Sequence, residues 1–281
     1  MDADLRQGLD THSPFGTHRP GFFQRFVWGV SDHPRLSQSV RQKLRKRFAR
    51  PVAGPFDITH EGMNFRLYPA ENYCDRVLFG RDDLPERAEH EALAPLITGD
   101  TCFVDIGANV GSYSLFVGSR AGPGAKLVAL EPHPRTHAKL VFNFQANGLS
   151  TAHVLNCGAG PERTQMDLWS DGGSNIGHTS MLKEVTANPK TRVSVPVVPL
   201  MDLLTEHEIN RIDLLKMDIE GFEDRALMPF LDAAPETLLP QHILIEVAHA
   251  HLWEADLMGR LEALGYVETF RTAENRLLML T

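Results

Sequence analysis

The feature that most limits the folds open to this chain lies at residues 103–111, where Phe103, Val104, Asp105 and Ile106 run directly into Gly107, Ala108, Asn109, Val110 and Gly111. An apolar run that carries one acid and ends in a glycine turn reads as a buried strand. Twenty residues after Gly111, a second apolar run at 127–130 ends on Glu131. With a helix between them, the two runs form the first half of a nucleotide-binding α/β sheet. Ligands of such sheets lie outside the carboxyl ends of the strands. Glycines there let the backbone approach the ligand, and an acid ending the second strand accepts ribose hydroxyls. An ordinary strand-to-helix turn with a capping acid would use the same residues.

The second half of the chain adds two strands of the same kind. Residues 212–219 form an apolar run carrying Lys216 and Asp218, followed by Glu220, Gly221, Phe222 and Glu223, and residues 242–247 carry Glu246 near their end. Buried parallel strands usually read as unbroken aliphatic runs, so charges at their exits need solvent, a partner or a ligand. The first turn is spaced Asp-x-Gly-x-x-x-Gly rather than Gly-x-Gly-x-x-Gly. That spacing favours S-adenosylmethionine over a dinucleotide, because this cofactor has no pyrophosphate to lay on a helix N-terminus and an aspartate suits its cationic end.

Four strings together carry a resemblance: residues 103–114, Glu131-Pro132 with Pro134, the Lys216-Met217-Asp218-Ile219-Glu220-Gly221-Phe222-Glu223 string, and Ile245-Glu246. In this order the chain resembles the FkbM family of S-adenosylmethionine-dependent methyltransferases over roughly residues 90–280. The Lys-x-Asp-x-Glu-Gly-x-Glu string is the specific part. The resemblance implies a class I, Rossmann-like α/β methyltransferase domain with a seven-stranded sheet at 90–281, behind a basic, partly irregular N-terminal accessory segment at 1–89. It also implies methyl transfer to a hydroxyl of a sugar, polyketide or other small metabolite. A nicotinamide-dependent oxidoreductase, or a catalytically silent binding protein on the same fold, is the competing reading.

The cofactor is expected to meet Asp105, Gly107, Asn109 and Gly111 through its amino-acid portion and Glu131 through its ribose. Adenine is expected beside Asn156 and Gly158, at the end of the third strand. Asn109 stands where the wider superfamily often has glycine, and asparagine tolerates a left-handed backbone. Lys216, Asp218 and Glu220 alternate with apolar residues, so an extended chain places all three on one side of the strand end. Asp218 is the first choice for accepting the acceptor's proton, with Lys216 stabilising negative charge on oxygen and Glu246 beside them. A structural lysine–carboxylate cluster is the plainer alternative. Among the histidines His133, His178, His249 and His251, His249 is the candidate base, although the family pattern places histidine where Ala248 stands. A divalent cation is not expected, even though these carboxylates are hard oxygen ligands.

The rest of the sequence sets bounds. At 281 residues, 42% hydrophobic and 23% charged, the chain suits one large α/β core. No apolar run approaches the ~18 residues that span a bilayer, so a cytoplasmic protein is expected. Cys74, Cys102 and Cys157 are too scattered for a disulfide framework or a zinc site. Residues 1–50 hold ten basic and four acidic residues, leaving 18 basic and 32 acidic for the remainder. The cluster Arg41, Lys43, Arg45, Lys46, Arg47 and Arg50 reads best as a solvated helix or an arm on the acidic domain. It has no aromatic interleaving, so nucleic acid is not the expected partner. A small-molecule or glycan acceptor is, and the N-terminal segment is expected to cover the substrate side or form a homodimer contact.

Along the chain, residues 1–35 are expected to be loosely packed, 56–59 and 64–68 to pair as a hairpin, and 85–96, 112–120, 134–146 and 252–264 to be helices. The third strand is expected at 153–157, an edge strand at 192–198 and a closing hairpin from 266–270 and 276–280. The polar, glycine-bearing stretch 171–180 is expected to act as a lid on the substrate side.

Overall fold

A computed structural model of the chain describes residues 7–170, 179–186 and 190–281. Its strands, in chain order, are β1 (Phe56–His60), β2 (Met63–Leu67), β3 (Cys102–Ile106), β4 (Lys126–Leu130), β5 (His153–Leu155), β6 (Gly158–Ala159), β7 (Thr164–Ser170), β8 (Thr191–Val198), β9 (Leu214–Met217), β10 (His242–Glu246), β11 (Tyr266–Arg271) and β12 (Asn275–Leu280). Seven of these form one sheet in the order β11-β12-β10-β9-β3-β4-β5, with β12 antiparallel to β10 and β11 antiparallel to β12. The other five run parallel. This is the expected class I methyltransferase sheet.

The helices are α1 (Phe22–Ser31), α2 (Gln38–Leu44), α3 (Tyr73–Arg76), α4 (Arg87–Leu93), α5 (Ser112–Arg120), α6 (Pro134–Ala146), α7 (Leu200–Glu206), α8 (Glu223–Ala233) and α9 (Leu257–Ala263). Successive strand residues alternate between faces, so Val104, Ile106, Val128, Leu215 and Ile243 pack beneath α7, α8 and α9. Phe103, Leu127, Ala129 and Leu214 pack on the other face against α5, α6 and the β1–β2 hairpin. Phe56, Phe65, Leu78 and Leu84 share that second cluster with Phe116 and Phe144. Burying each such aromatic or aliphatic side chain contributes roughly 1.5–3 kcal/mol, so the segment before residue 90 is welded to the sheet's helices. No helix among the described residues is long and apolar enough to cross a membrane.

Register sets the location of the site. Ile106 pairs with Leu130 on one side and Met217 on the other, and Met217 pairs in turn with Ile245. The four parallel strands therefore end on one line, and Gly107, Glu131, Asp218 and Glu246 are the residues standing directly beyond it.

Three expectations change. Residues 7–35 are packed rather than loose, because buried Arg66 donates to the carbonyl groups of Asp10, Ser13 and Pro14 while holding Asp57 in a two-point ion pair. Trp28 is 1% exposed and its indole N–H bonds the Val52 carbonyl. The third strand stops at Leu155, and the chain then turns into β6, which leaves the main sheet. Finally, β8 is not an edge strand. It is the middle of a small sheet in the order β6-β8-β7, parallel to β6 and antiparallel to β7.

Candidate active site

The line of strand ends opens into a cleft of about 600 Å³. One half of it is built around the turn after β3. Gly107 and Ala108 donate backbone N–H groups to the Leu130 carbonyl at 3.0 and 2.9 Å, which ties the turn to the end of β4. Gly107 has φ +80°, and a Cβ there would overlap the Asp218 carbonyl oxygen, so only glycine fits between the ends of β3 and β9. Asn109 is left-handed at φ +52°, donates its N–H to Glu131 Oε2 at 3.0 Å and accepts at Oδ1 from Asn72 Nδ2 at 2.6 Å.

Glu131 is 6% exposed and lies on the cleft wall. Its second oxygen accepts the His133 N–H at 2.8 Å. Burial pushes this carboxyl up to about 7, against the pull of those two N–H groups. Each carboxylate oxygen keeps a lone pair for a further donor. Beside it, Leu130, Ile106, Cys157, Leu168 and Met181 make an apolar wall interrupted by Gly158. At Gly158 a Cβ would run into the Met181 methyl group, so the glycine keeps this wall flat.

Asp105 and Lys216 form a strut beneath the turn instead of lining the cleft. Asp105 is wholly buried and accepts the Ser114 hydroxyl, while its other oxygen lies 3.8 Å from Lys216 Nζ. Lys216 donates to the Gly107 carbonyl at 2.9 Å and approaches Asp218 at 3.5 Å. Burial alone would lower the lysine pKa, but Asp218, Asp105 and Glu86 reverse this and hold it above the usual lysine range. Gly111, at φ +93°, starts α5 and packs against Leu140, also away from the cleft. Asn156 donates to the Glu131 and Pro132 carbonyls at 2.8 and 2.9 Å, which fixes the exit of β4, and it is not among the residues lining the cleft.

The other half of the cleft is acidic. Asp218, Glu220, Glu246 and His249 line it, with Glu274 from the turn between β11 and β12. His249 Nε2 lies 3.2 Å from Glu220 Oε2, and that contact raises the imidazole pKa. Glu220 Oε, Glu246 Oε and His249 each offer an atom within 4.8 Å of the other two. His133 serves the fold instead, since its side chain accepts the Arg135 N–H to cap α6, and burial lowers its pKa to about 4. His251 does not line the cleft. His178 and the greater part of the expected lid, 171–178, lie outside the described residues. Thr179 and Met181, just past them, do line the cleft.

Several lining residues come from the segment before β3. Glu86, at φ +52° just ahead of α4, accepts the Tyr113 hydroxyl at 2.6 Å, and burial followed by the charge of Asp218 pushes it up to about 7. Tyr73, Cys74 and Gln38 complete this wall. Local sequence carries one hint of it, Asn72, whose side chain caps α3 by accepting the Cys74 N–H. For Glu86 there is none, since it reaches the cleft through a left-handed turn and long-range packing.

The chain is similar to known methyltransferases. The methyltransferase sdnD of Sordaria araneosa is 31% identical over 147 residues, covering 43% of this chain and 56% of that protein. The matched stretch thus spans little more than half of that relative's length. Among solved structures, an rRNA methylase from Streptococcus thermophilus is 11% identical with a TM-score of 0.42, covering 71% of this chain and 98% of its own. A SAM-dependent methyltransferase from Aquifex aeolicus is 12% identical with a TM-score of 0.41, covering 72% and 96%. The fold assignment rests on the strand order above and not on these scores. Residues 105–268 match the methyltransferase FkbM domain, from the acid of β3 to the middle of β11, and the chain belongs to the FkbM methyltransferase family.

Proposed function

We propose that the protein transfers the methyl group of S-adenosylmethionine to a hydroxyl oxygen of a small metabolite or glycan. The observation that carries this reading is the charge of the cleft. Glu86, Glu131, Asp218, Glu220, Glu246 and Glu274 line it, and no lysine or arginine does among the described residues. A low-dielectric cleft of one sign concentrates ligands of the other. S-adenosylmethionine is a sulfonium cation and suits it, whereas the pyrophosphate of a nicotinamide dinucleotide would meet repulsion with no basic partner.

The residues divide the work. Glu131 takes the ribose hydroxyls as charge-assisted bonds. The apolar wall with Gly158 accepts adenine, and the turn at Gly107 and Asn109 receives the amino-acid portion. Bound there, the cofactor supplies an electrophilic methyl group. Asp218, 30% exposed in its side chain at the junction of the two halves, takes the proton of the acceptor hydroxyl as the oxygen attacks. Lys216 and Asp105 position it by fixing the ends of β3 and β9 against each other.

Glu131 gives the direct test. Losing an acceptor for paired hydroxyls costs roughly 1.5–3 kcal/mol, so Glu131→Ala should weaken S-adenosylmethionine binding by about 10- to 150-fold in calorimetry with an unchanged circular dichroism spectrum. Unchanged affinity would remove Glu131 from the cofactor site. A thermal shift by a nicotinamide dinucleotide, with none from S-adenosylmethionine, would overturn the reading itself.

A further inference from the structure

We infer that Glu220, Glu246 and His249 bind a divalent cation on the acceptor side of the cleft. Their ligand atoms already lie within 4.8 Å of one another. Oxygen and nitrogen ligands sit about 2.0–2.3 Å from such a cation, so opposite ligands of one ion stand up to about 4.0–4.6 Å apart. The three atoms need side-chain adjustment only, not movement of the backbone.

The backbone beneath them is fixed independently. Glu246 is the last residue of β10, paired to β12 through Asn275. Glu220 is left-handed at φ +57°, its carbonyl accepts the Ser180 hydroxyl at 2.7 Å, and the flanking N–H groups of Ile219 and Gly221 are both taken by Glu223. His249 packs against Gly221, where a Cβ would stand 3.2 Å from the histidine Cβ. The three ligands thus arrive on a strand end and two adjoining turns that already touch.

A second observation points to a ligand. Glu246 is a half-buried residue of the cleft lining, and its Oε2, shielded from solvent, has no hydrogen-bond partner among the described residues. A buried polar oxygen left unpaired is costly, and here it stands among further carboxylates, Asp218 and Glu223 included. Lys216, whose charge reaches Glu246, donates instead to the Gly107 carbonyl. A divalent ion would pair that oxygen and offset the clustered negative charge. Two carboxylates and one imidazole suit a hard-to-borderline cation such as Mn²⁺ or Mg²⁺ and leave coordination positions facing the cleft. There the ion would hold the acceptor's hydroxyl oxygen and lower its pKa. This last role rests on the methyl-transfer reading, whereas the binding of the ion does not.

Titrating the full chain with Mn²⁺ alone, read by electron paramagnetic resonance of the free ion, tests the site without cofactor or acceptor. One saturable site is expected, weakened at least about 10-fold in Glu246→Gln and in His249→Ala, since removal even of partners that only support a ligand costs that much. Should Glu246→Gln not fold, His249→Ala at the rim of the cleft decides alone. No saturable binding at millimolar Mn²⁺, or a site that both variants keep, would overturn the proposal and leave the Glu220–His249 contact as a plain ion pair. Mn²⁺ binding without S-adenosylmethionine binding would retain the metal site and reject the methyl-transfer reading. Cofactor binding with no Mn²⁺ site would do the reverse.

Discussion

At the residue scale, the ends of β3, β4, β9 and β10 show how one line of strand termini yields different roles. Glu131 and Asp218 project past their strands into the cleft, while Asp105 and Lys216, two residues deeper, face each other under the Gly107 turn. That difference of two residues makes Asp218 the group exposed to an acceptor. Asp218→Asn keeps the side chain's shape and removes its basicity, so cofactor affinity should stay near wild type while turnover falls by about 10²- to 10⁴-fold. Single-turnover assays with a methylated acceptor, beside calorimetry, check this, and near-normal turnover would end the assignment. The positions of Asp105, Glu131 and Asp218 were legible in the sequence because strand ends announce themselves as charges after aliphatic runs. The burial of Asp105 and Lys216 was not. It depends on the pairing of Asp105 with Lys216 across β3 and β9, a register that no local pattern contains.

At the scale of elements, the periodic segments were legible and the irregular ones were not. Helices α5 and α6 fall where expected, with Pro134 in the first turn of α6, and the closing hairpin forms from β11 and β12. By contrast, residues 7–20 have no periodicity and are ordered by distant side chains, Arg66 of β2 foremost, with Asp57 of β1 accepting the Gly16 and His18 N–H groups. Arg66 is 1% exposed, pairs with Asp57 at 2.7 and 2.8 Å, directs its other donors to three carbonyls of this segment and lies 3.9 Å over the Phe142 ring. Removing one partner of a buried ion pair leaves the other charge uncompensated and costs about 3–5 kcal/mol. Arg66→Met should therefore lower the melting temperature by roughly 6–20 °C. Amides of residues 8–20 should also lose their protection against hydrogen exchange before those of β3 do. Equal loss across both regions would mean that Arg66 supports the whole core rather than the N-terminal segment.

At the scale of the whole molecule, the buried titratable groups set the pH dependence of stability through opposing slopes. His90 and His133 are each lowered by burial to about 4. Between that value and their ordinary 6.5 the unfolded chain binds more protons than the native one, so stability rises with pH up to about 6.5. Glu131 and Glu86 act in the other direction. Burial raises each to about 7, so from the ordinary carboxyl value near 4.5 upward the native state holds the extra protons, and stability falls as pH rises through 7. Above 7 the whole cost of burying Glu131 and Glu86 as carboxylates is present. For Glu131 it is on the order of a few kcal/mol, since each tenfold change in proton affinity corresponds to about 1.36 kcal/mol. The carboxylates lowered by surface pairing, such as Glu61 and Glu268, lose their contribution only in acid, below this range. The ligand-free protein should thus change little in stability between pH 4.5 and 6.5, where the two pairs of groups offset each other, and lose stability above 6.5, where only the carboxyls still titrate, so its melting temperature should be lower at pH 8 than at pH 6. Glu131→Gln, which retains one oxygen acceptor without the charge, should gain stability relative to the wild type progressively between pH 4.5 and 7, with the difference constant above that. Differential scanning calorimetry of both proteins across this range checks it, and parallel curves between pH 4.5 and 7 would show that Glu131 is not the group whose ionisation loosens the apo fold.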